Sequence, residues 1–450
     1  MSREHAVVVG GSLAGLLAAR ILADHFDRVT VVERDRFPDG AGDRAGVGQG
    51  RHLHVLWPYG LELIESMFPG IEKELSGAGA PEVRVPADVL WLTAAGWRRR
   101  FDSTRLLTFS RGLLDWTLRK RLASVAFLQG HEVTGLIPAG QGVAGVEVRE
   151  RGGGTATPLP ADLVVDASGR SSKVPDWLAR LGFPAPRETH VDPLLGYASR
   201  NYAMPSGFDP GWKALYLQAD PPGTRRTGGL FPQEGGRWIC SLSGAGRDYG
   251  PTGEREFLDF AKGLRHPVLY EAIRHAEPLT PIVGYRRTAN HRRHYERLPA
   301  WPERFIVLGD AVCAFNPIYG QGMSVAAIQA AALQTLLRDR AADGGDLRGL
   351  ARRFQRLAGP CAAGAWLIAT GEDLRYRETE GSPVRLHTKI INRYVDRVIA
   401  VANVDSQVCA DLMDVLALAS APTALFRPGV LRRVATVRAR QPAGPDDLDP

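Results

Sequence analysis

Residues 6–33, AVVVGGSLAGLLAARILADHFDRVTVVE, limit what this 450-residue chain can fold into more than any other stretch. The apolar run at 6–9 predicts a strand, Gly10 to Gly15 a tight turn, 13–24 a helix, and RVTVVE a second strand. Strand, helix and strand in that order make a βαβ unit, which belongs to a parallel sheet. Aligned on GxGxxG, the turn reads Gly10-Gly11-Ser12-Leu13-Ala14-Gly15, so serine replaces the middle glycine. Serine still permits close backbone approach, and Gly11 adds freedom beside it. Glu33 ends the second strand roughly twenty residues past the turn, where a carboxylate can accept both ribose hydroxyls. Turn, helix N-terminus and Glu33 together predict a bound dinucleotide.

A second segment, RFIVLGDAVCAFNPIYGQGMS at 304–324, has related logic. An apolar strand stops at Gly309-Asp310, and an alanine- and leucine-rich helix starts at Met323. Between them, Pro317, Gly320 and Gly322 make a loop that can approach a ligand closely. One carboxylate, such a loop and a helix N-terminus suit an electron-rich, phosphate-bearing ligand.

The net charge of +7 comes mostly from arginines scattered along the chain without aromatic interleaving. A basic surface that attracts anionic substrates is expected, and no nucleic-acid partner. Cys240, Cys313, Cys361 and Cys409 form no CxxC and no paired spacing, so neither a disulfide framework nor a zinc site is expected. A reducing cytoplasm is the expected location. The N-terminal apolar run lacks a basic leader, and no run of about twenty apolar residues spans a membrane.

Further motifs follow: GVGQGRHLHVLWPYG from Gly46, LTFSRGLLDWTLRKRL from Leu107 and ADLVVDASGRSSKVPDW from Ala161. With these the chain resembles the FAD-dependent monooxygenases related to p-hydroxybenzoate hydroxylase and squalene epoxidase. Within that group it is most similar to the bacterial flavin epoxidases of polyether antibiotic biosynthesis, through QxRHxHxLW, SRxLLDWTxR, GDAVxAFNPxYGxGMS and HYxRLxxWPE. The resemblance runs to about residue 340 and more loosely, through WLIATGEDLRYRETEG, to the end.

The resemblance implies an α/β fold with a Rossmann-type FAD-binding domain from residues 1–85, 105–185 and 286–345. It adds an antiparallel β-sheet substrate domain from 86–104 and 186–285, and a helical C-terminal region from 346–450. FAD would be held by Gly10, Gly11, Ser12, Ala14, Gly15, Glu33 and Arg34, with Arg111 near the pyrophosphate and Val133 at the adenine. Asp166 and Gly169 form the central motif. Gly309 and Asp310 follow, the carboxylate accepting a ribityl hydroxyl. Pro317, Gly320, Gly322, Met323 and Ser324 would lie beside the flavin pyrimidine, with Pro317, Gly320 and Gly322 shaping the space at flavin C4a. Arg51 matches a loop passing near the isoalloxazine; a surface ion pair is its alternative. No protein acid or base is assigned.

The implied chemistry is insertion of one oxygen atom from O2 through a flavin C4a-hydroperoxide. Epoxidation of an electron-rich alkene in a polyketide or other natural-product intermediate needs no protein base, whereas phenol hydroxylation usually wants one. No Tyr/His relay stands at a family position, so epoxidation leads, aromatic hydroxylation is second and alkene reduction third. Flavin halogenases show WxWxIP; the Trp-Pro pairs LWPYG and AWPER do not match it. The central motif, Asp166-Ala167-Ser168-Gly169-Arg170, departs from the hydroxylases' Asp-Gly followed by fixed serine and arginine. The expected electron source is NADPH or NADH, bound directly or used through a separate flavin reductase. Val312-Cys313 replaces the Ala-His frequent in hydroxylases, and Cys313 is expected to be small and buried.

Residues 190–285 read as short alternating segments set off by Gly and Pro, predicting an antiparallel sheet. In relatives such a sheet roofs the flavin and forms a hydrophobic substrate cavity, so Tyr197, Asn201, Tyr216, Phe231 and Trp238 are candidate lining residues, with core packing the alternative for each. LDFAKGLRHPVLYEAI and RVIAVANVDSQVCADLMDVLALAS each read as one helix, and 441–450 as a frayed tail. The arginines 432, 433, 438 and 440 could touch anionic membrane, but packing onto the flavin domain is expected and membrane contact is not. No metal role is expected for His52, His54, His291 or His294.

Overall fold

The computed structural model describes residues 4–342, 345–381 and 386–449. β1 (His5–Val9), α1 (Leu13–Leu22) and β2 (Arg28–Glu33) form the predicted βαβ unit. β1 lies at the centre of a five-stranded parallel sheet, ordered Phe305–Val307, Leu163–Asp166, β1, β2, Val125–Gln129. These strands are apolar almost end to end because the sheet is covered by helices and by the three-stranded antiparallel sheet His131–Ala139, Gly142–Glu150, Thr157–Pro160. The registers Val9↔Asp166 and Asp166↔Val307 bring the ends of three strands to one edge. In open parallel sheets ligands bind along that carboxyl edge. Helix Gly322–Ala342 packs against α1, so both helices start at this edge.

A seven-stranded sheet follows the order Val283–Tyr285, Gly196–Ala203, Arg237–Gly244, Arg226–Gln233, Ala214–Leu217, Val89–Thr93, Gly96–Trp97. All its pairs are antiparallel except Ala214–Leu217 with Val89–Thr93. Strand alternation splits its residues into two cores. Leu230, Trp238, Cys240 and Leu242 face Phe257, Phe260 and Leu269 of two outer helices. Val89, Trp91, Phe231 and Ile239 face the C-terminal helices, meeting Val398, Val401, Val408 and Leu412.

Several expectations change here. Residues 254–273 form two helices, Glu254–Lys262 and Val268–Ile273, because Gly263 caps the first and Pro267 precedes the second. Residues 386–416 likewise split into Leu386–Ala402 and Ser406–Leu416. The Asp405 side chain accepts the Val408 N–H at 3.0 Å and so starts a new helix. Helix Pro428–Thr436 buries Val430 and Val434 against these helices and the core they share with the seven-stranded sheet, not against the five-stranded parallel sheet. The tail is docked rather than frayed: Gln441 donates to the Ala400 carbonyl at 2.9 Å, Arg100 N–H donates to the Leu448 carbonyl at 2.8 Å, and Leu448 is buried. No described helix is long and apolar enough to cross a membrane.

Candidate active site

A long cleft runs along the carboxyl edge of the parallel sheet. At one end it is lined by Gly10, Glu33, Arg34, Arg44, Val133, Lys173 and Trp177. Gly15 lets α1 start tight against β1, since a Cβ there would sit 1.8 Å from the Gly10 carbonyl oxygen. Ser12 occupies the helix N-cap with extended backbone, φ −92°, so the middle position of the fingerprint needs no glycine. Its hydroxyl caps no helix amide and instead accepts Arg111 Nη2 at 2.8 Å. The first-turn amides of α1 are therefore left without a side-chain cap from Ser12 where Ser12, Leu13 and Ala14 line the cleft. Arg111 is itself held by Asp115 at 2.8 Å. A helix N-terminus with a buried arginine beside it is a site for a pyrophosphate.

Glu33 is more committed than the sequence suggests. Oε2 accepts the Gly11 N–H at 2.7 Å and faces Arg44 Nη1 at 3.0 Å, while Oε1 accepts the Asp35 N–H at 3.0 Å. A carboxylate offers about four lone-pair sites, and two accept backbone N–H groups here, so room remains for ribose hydroxyls. Arg44, which sequence reasoning missed, also donates to the Gly11 carbonyl at 2.8 Å.

Further along the cleft are Arg111, Gly169, Arg170, Gly309, Asp310, Asn316, Pro317, Gly320, Gly322 and Met323. Burial pushes the Asp310 carboxyl up, opposed by Arg170 and Arg111. Arg170 donates to the carbonyls of Ala289 and Phe315, joining the central motif to the loop at 316–320. That loop turns through Gly320 at φ +66°, where any Cβ would press on Val55 at 3.2 Å. The glycine-floored cradle, the anion site at α1 and the Asp310 carboxylate fit an extended FAD.

Of the expected cofactor residues, Gly11 and Gly15 support the turn without lining the cleft, and three more lie elsewhere. Asp166 is fully buried behind the cleft, accepting Ser172 Oγ at 2.7 Å, so it braces the turn. Ser324 is buried against Gly60, because its helix position faces the neighbouring helix Pro58–Met67. Arg51 is half exposed and pairs with Asp43 at 3.6 Å, the surface alternative.

Beside Pro317 and Gly320 the cleft opens into a second, apolar cavity. Its walls include Trp57, Val85, Val89, Trp91, Leu106 and Leu416, together with Tyr197, Tyr216 and Phe231 from the seven-stranded sheet. Trp238 faces the opposite core because it is out of phase with Ile239, Ser241 and Ser243 on its strand. Asn201 has the right phase but lies beyond the cavity, its N–H donating to Thr280 Oγ1 at 3.0 Å. His52 is buried at the junction of cleft and cavity, where burial above all, then His54 and Arg51, lowers it to about 3. Cys313 is buried and its thiol is pushed far up by burial.

Fold and cleft together fit an FAD-dependent enzyme. The chain belongs to the FAD-binding-domain family, which it matches over residues 3–345. It is 31% identical over 420 residues to Protein Rv3254 of Mycobacterium tuberculosis, covering 90% of this chain and 87% of that one. It is 27% identical over 339 residues to kynurenine 3-monooxygenase of Salinispora arenicola, covering 72% and 70%. The fold is also that of the flavin-dependent brominase Bmp2, with a TM-score of 0.66, 15% identity, and 96% and 100% of the two chains covered.

Proposed function

We propose that this chain transfers one atom of O2 to an electron-rich, largely apolar small molecule, and that the reaction is epoxidation of an alkene in a polyketide-type natural product. FAD, when bound, supplies the electrons and the activation of dioxygen. Ser12, Arg111 and the α1 N-terminus hold its pyrophosphate, Glu33 and Val133 its adenosine half, Asp310 its ribityl chain, and Pro317 to Met323 its pyrimidine edge. The seven-stranded sheet and the C-terminal helices enclose the substrate.

The observation that carries this reading is the cavity itself. It meets the cleft at Pro317 and Gly320, and none of the described residues in its walls is Asp, Glu, Lys or Arg. Its ionisable groups suit no base: burial holds His52 at about 3 and raises Tyr197, Tyr216 and Tyr319. A dry apolar pocket can hold a double bond against the flavin, and alkene oxygenation needs no proton removed by the protein. Aromatic hydroxylation is the second reading, favoured by the likeness to a kynurenine 3-monooxygenase.

The test is isotopic. FAD-loaded enzyme with NADPH, alone and with a flavin reductase, is given polyenes and phenols under 18O2. An epoxide carrying a single 18O supports the proposal. Label in phenols alone makes the enzyme a hydroxylase, and a saturated, unlabelled product makes it a reductase.

A further inference from the structure

Away from the cleft, three metal-binding side chains converge where the chain enters and leaves the seven-stranded sheet. The entry strand Glu188–Asp192 pairs antiparallel with the return strand Asn290–Arg293, and His190 stands directly opposite His291. Residues two apart on a strand share a face, as do directly opposed residues, so Glu188, His190 and His291 project together. Glu188 Oε2 lies 2.9 Å from His291 Nε2 and 3.3 Å from His190 Nε2. All three donor atoms fall within 4.8 Å of one another. The two imidazoles stack, with centroids 4.0 Å apart and planes 20° from parallel.

These separations are close to what a metal demands. A tetrahedral zinc with bonds of about 2.0–2.1 Å spaces neighbouring ligand atoms by about 3.3–3.4 Å. Two edges of the triangle therefore need adjustment of only a few tenths of an ångström, and the third closes by rotation of His190, whose side chain is 56% exposed. Stacked rings cannot both direct an in-plane Nε2 lone pair at one ion, so His190 must also turn out of the stack on binding. Arg293 Nε holds the other oxygen of Glu188 at 3.2 Å, which orients the carboxylate from behind. The exposed side gives an ion a way in and leaves a fourth position for water.

We propose that Glu188, His190 and His291 bind one divalent transition-metal ion of the zinc class, clamping the entry strand to the return strand. His291 and His294 stand three apart in sequence, and no third ligand is visible beside them there. His294 turns to Thr189 and Glu296, and the true partner of His291 lies 101 positions earlier. The four-stranded sheet that carries the site ends at Cys313–Ala314, which leads directly into the flavin-facing loop.

The test uses tag-free, FAD-loaded protein stripped with a chelator, then titrated with ZnCl2 against a fluorescent zinc indicator. One zinc per chain is expected, weakened at least about tenfold in His190→Ala and unchanged in His275→Ala. Zinc should raise the Tm of the parent protein and leave that of His190→Ala unmoved. Absence of binding, or equal affinity in His190→Ala, overturns the site. Because His190 is exposed, that variant tests the ligand without emptying the core.

Discussion

The Tyr319 phenol donates to Asp373 Oδ1 at 2.7 Å, tying the flavin-facing loop to the last residue of helix Ala363–Asp373. Asp373 is fully buried and also accepts Asn290 Nδ2 at 2.6 Å and Asn316 Nδ2 at 3.0 Å. One carboxylate thus gathers three donors from two separate segments, the strand at Asn290 and the loop at 316–319. The loop beside the proposed flavin is positioned from outside itself.

Asp373→Asn should therefore weaken FAD binding as well as stability. It sets an amide N–H against groups that are themselves donors, and each buried group left unsatisfied costs about 1–3 kcal/mol. Tyr319→Phe removes a single bond and should cost about 1 kcal/mol. Thermal unfolding and FAD fluorescence titration measure both effects. Parental FAD affinity in Asp373→Asn would mean that the loop holds itself.

The same carboxyl sets a pH dependence. Burial raises it to about 7, whereas an unfolded aspartate titrates near about 3.9. The folded state keeps a proton that the unfolded state has already released. This contribution is complete below the unfolded value and is lost as pH rises through about 7. The parent protein should lose more Tm than Asp373→Asn between pH 5.5 and 8, and parallel curves would refute the assignment.

What could be read from sequence was local. The βαβ unit, Gly15 and the turn through Gly320 follow from apolar periodicity and from backbone that only glycine accommodates. Asp373 was invisible because its partners lie 54 to 83 positions away. The docked tail was missed for the same reason: Gln441 reaches residues of another helix through polar contacts with no sequence signature. Trp238 and Phe231 look alike in sequence, yet a one-residue change of strand phase sends them to opposite faces.

Arg111 is the main cationic side chain at the proposed pyrophosphate site, and Ser12 and Asp115 hold it in place. Charge-assisted bonds of this kind contribute about 1.5–3 kcal/mol. Arg111→Ala should weaken FAD binding roughly tenfold to a hundredfold, with Arg111→Lys between it and the parent. Fluorescence titration decides, and unchanged affinity would move the pyrophosphate elsewhere.

Phase along the sheet separates stability from selectivity. Trp238→Ala empties the outer core and should cost about 3–5 kcal/mol while leaving substrate preference intact. Phe231→Leu reshapes the cavity wall and should change relative kcat/KM among substrates with little loss of Tm. Altered preference in a folded Trp238 variant would contradict the two-faced sheet.

His52 is the remaining ionisable group at the cavity mouth, and its hydrogen-bond chain assigns its proton. Leu53 N–H donates to Ser241 Oγ at 3.1 Å, Ser241 and Ser199 hydroxyls lie 2.5 Å apart, and Ser199 Oγ lies 2.8 Å from His52 Nδ1. A backbone N–H can only donate, so the order that satisfies every hydroxyl proton runs from Ser241 to Ser199 to Nδ1. That order puts the hydrogen of a neutral ring on Nε2, which meets no acceptor among the described residues, and a chain that ends on an amide cannot pass protons to solvent. An unfolded histidine takes its proton near about 6.5, whereas His52 stays neutral down to about 3. Its contribution to stability is complete above about 6.5 and is lost as pH falls toward 3. His52→Asn should therefore lose less Tm than the parent between pH 7 and 5. The parent's kcat/KM should show no step that this substitution removes between pH 5 and 9, and such a step would make His52 a working base and revive phenol hydroxylation.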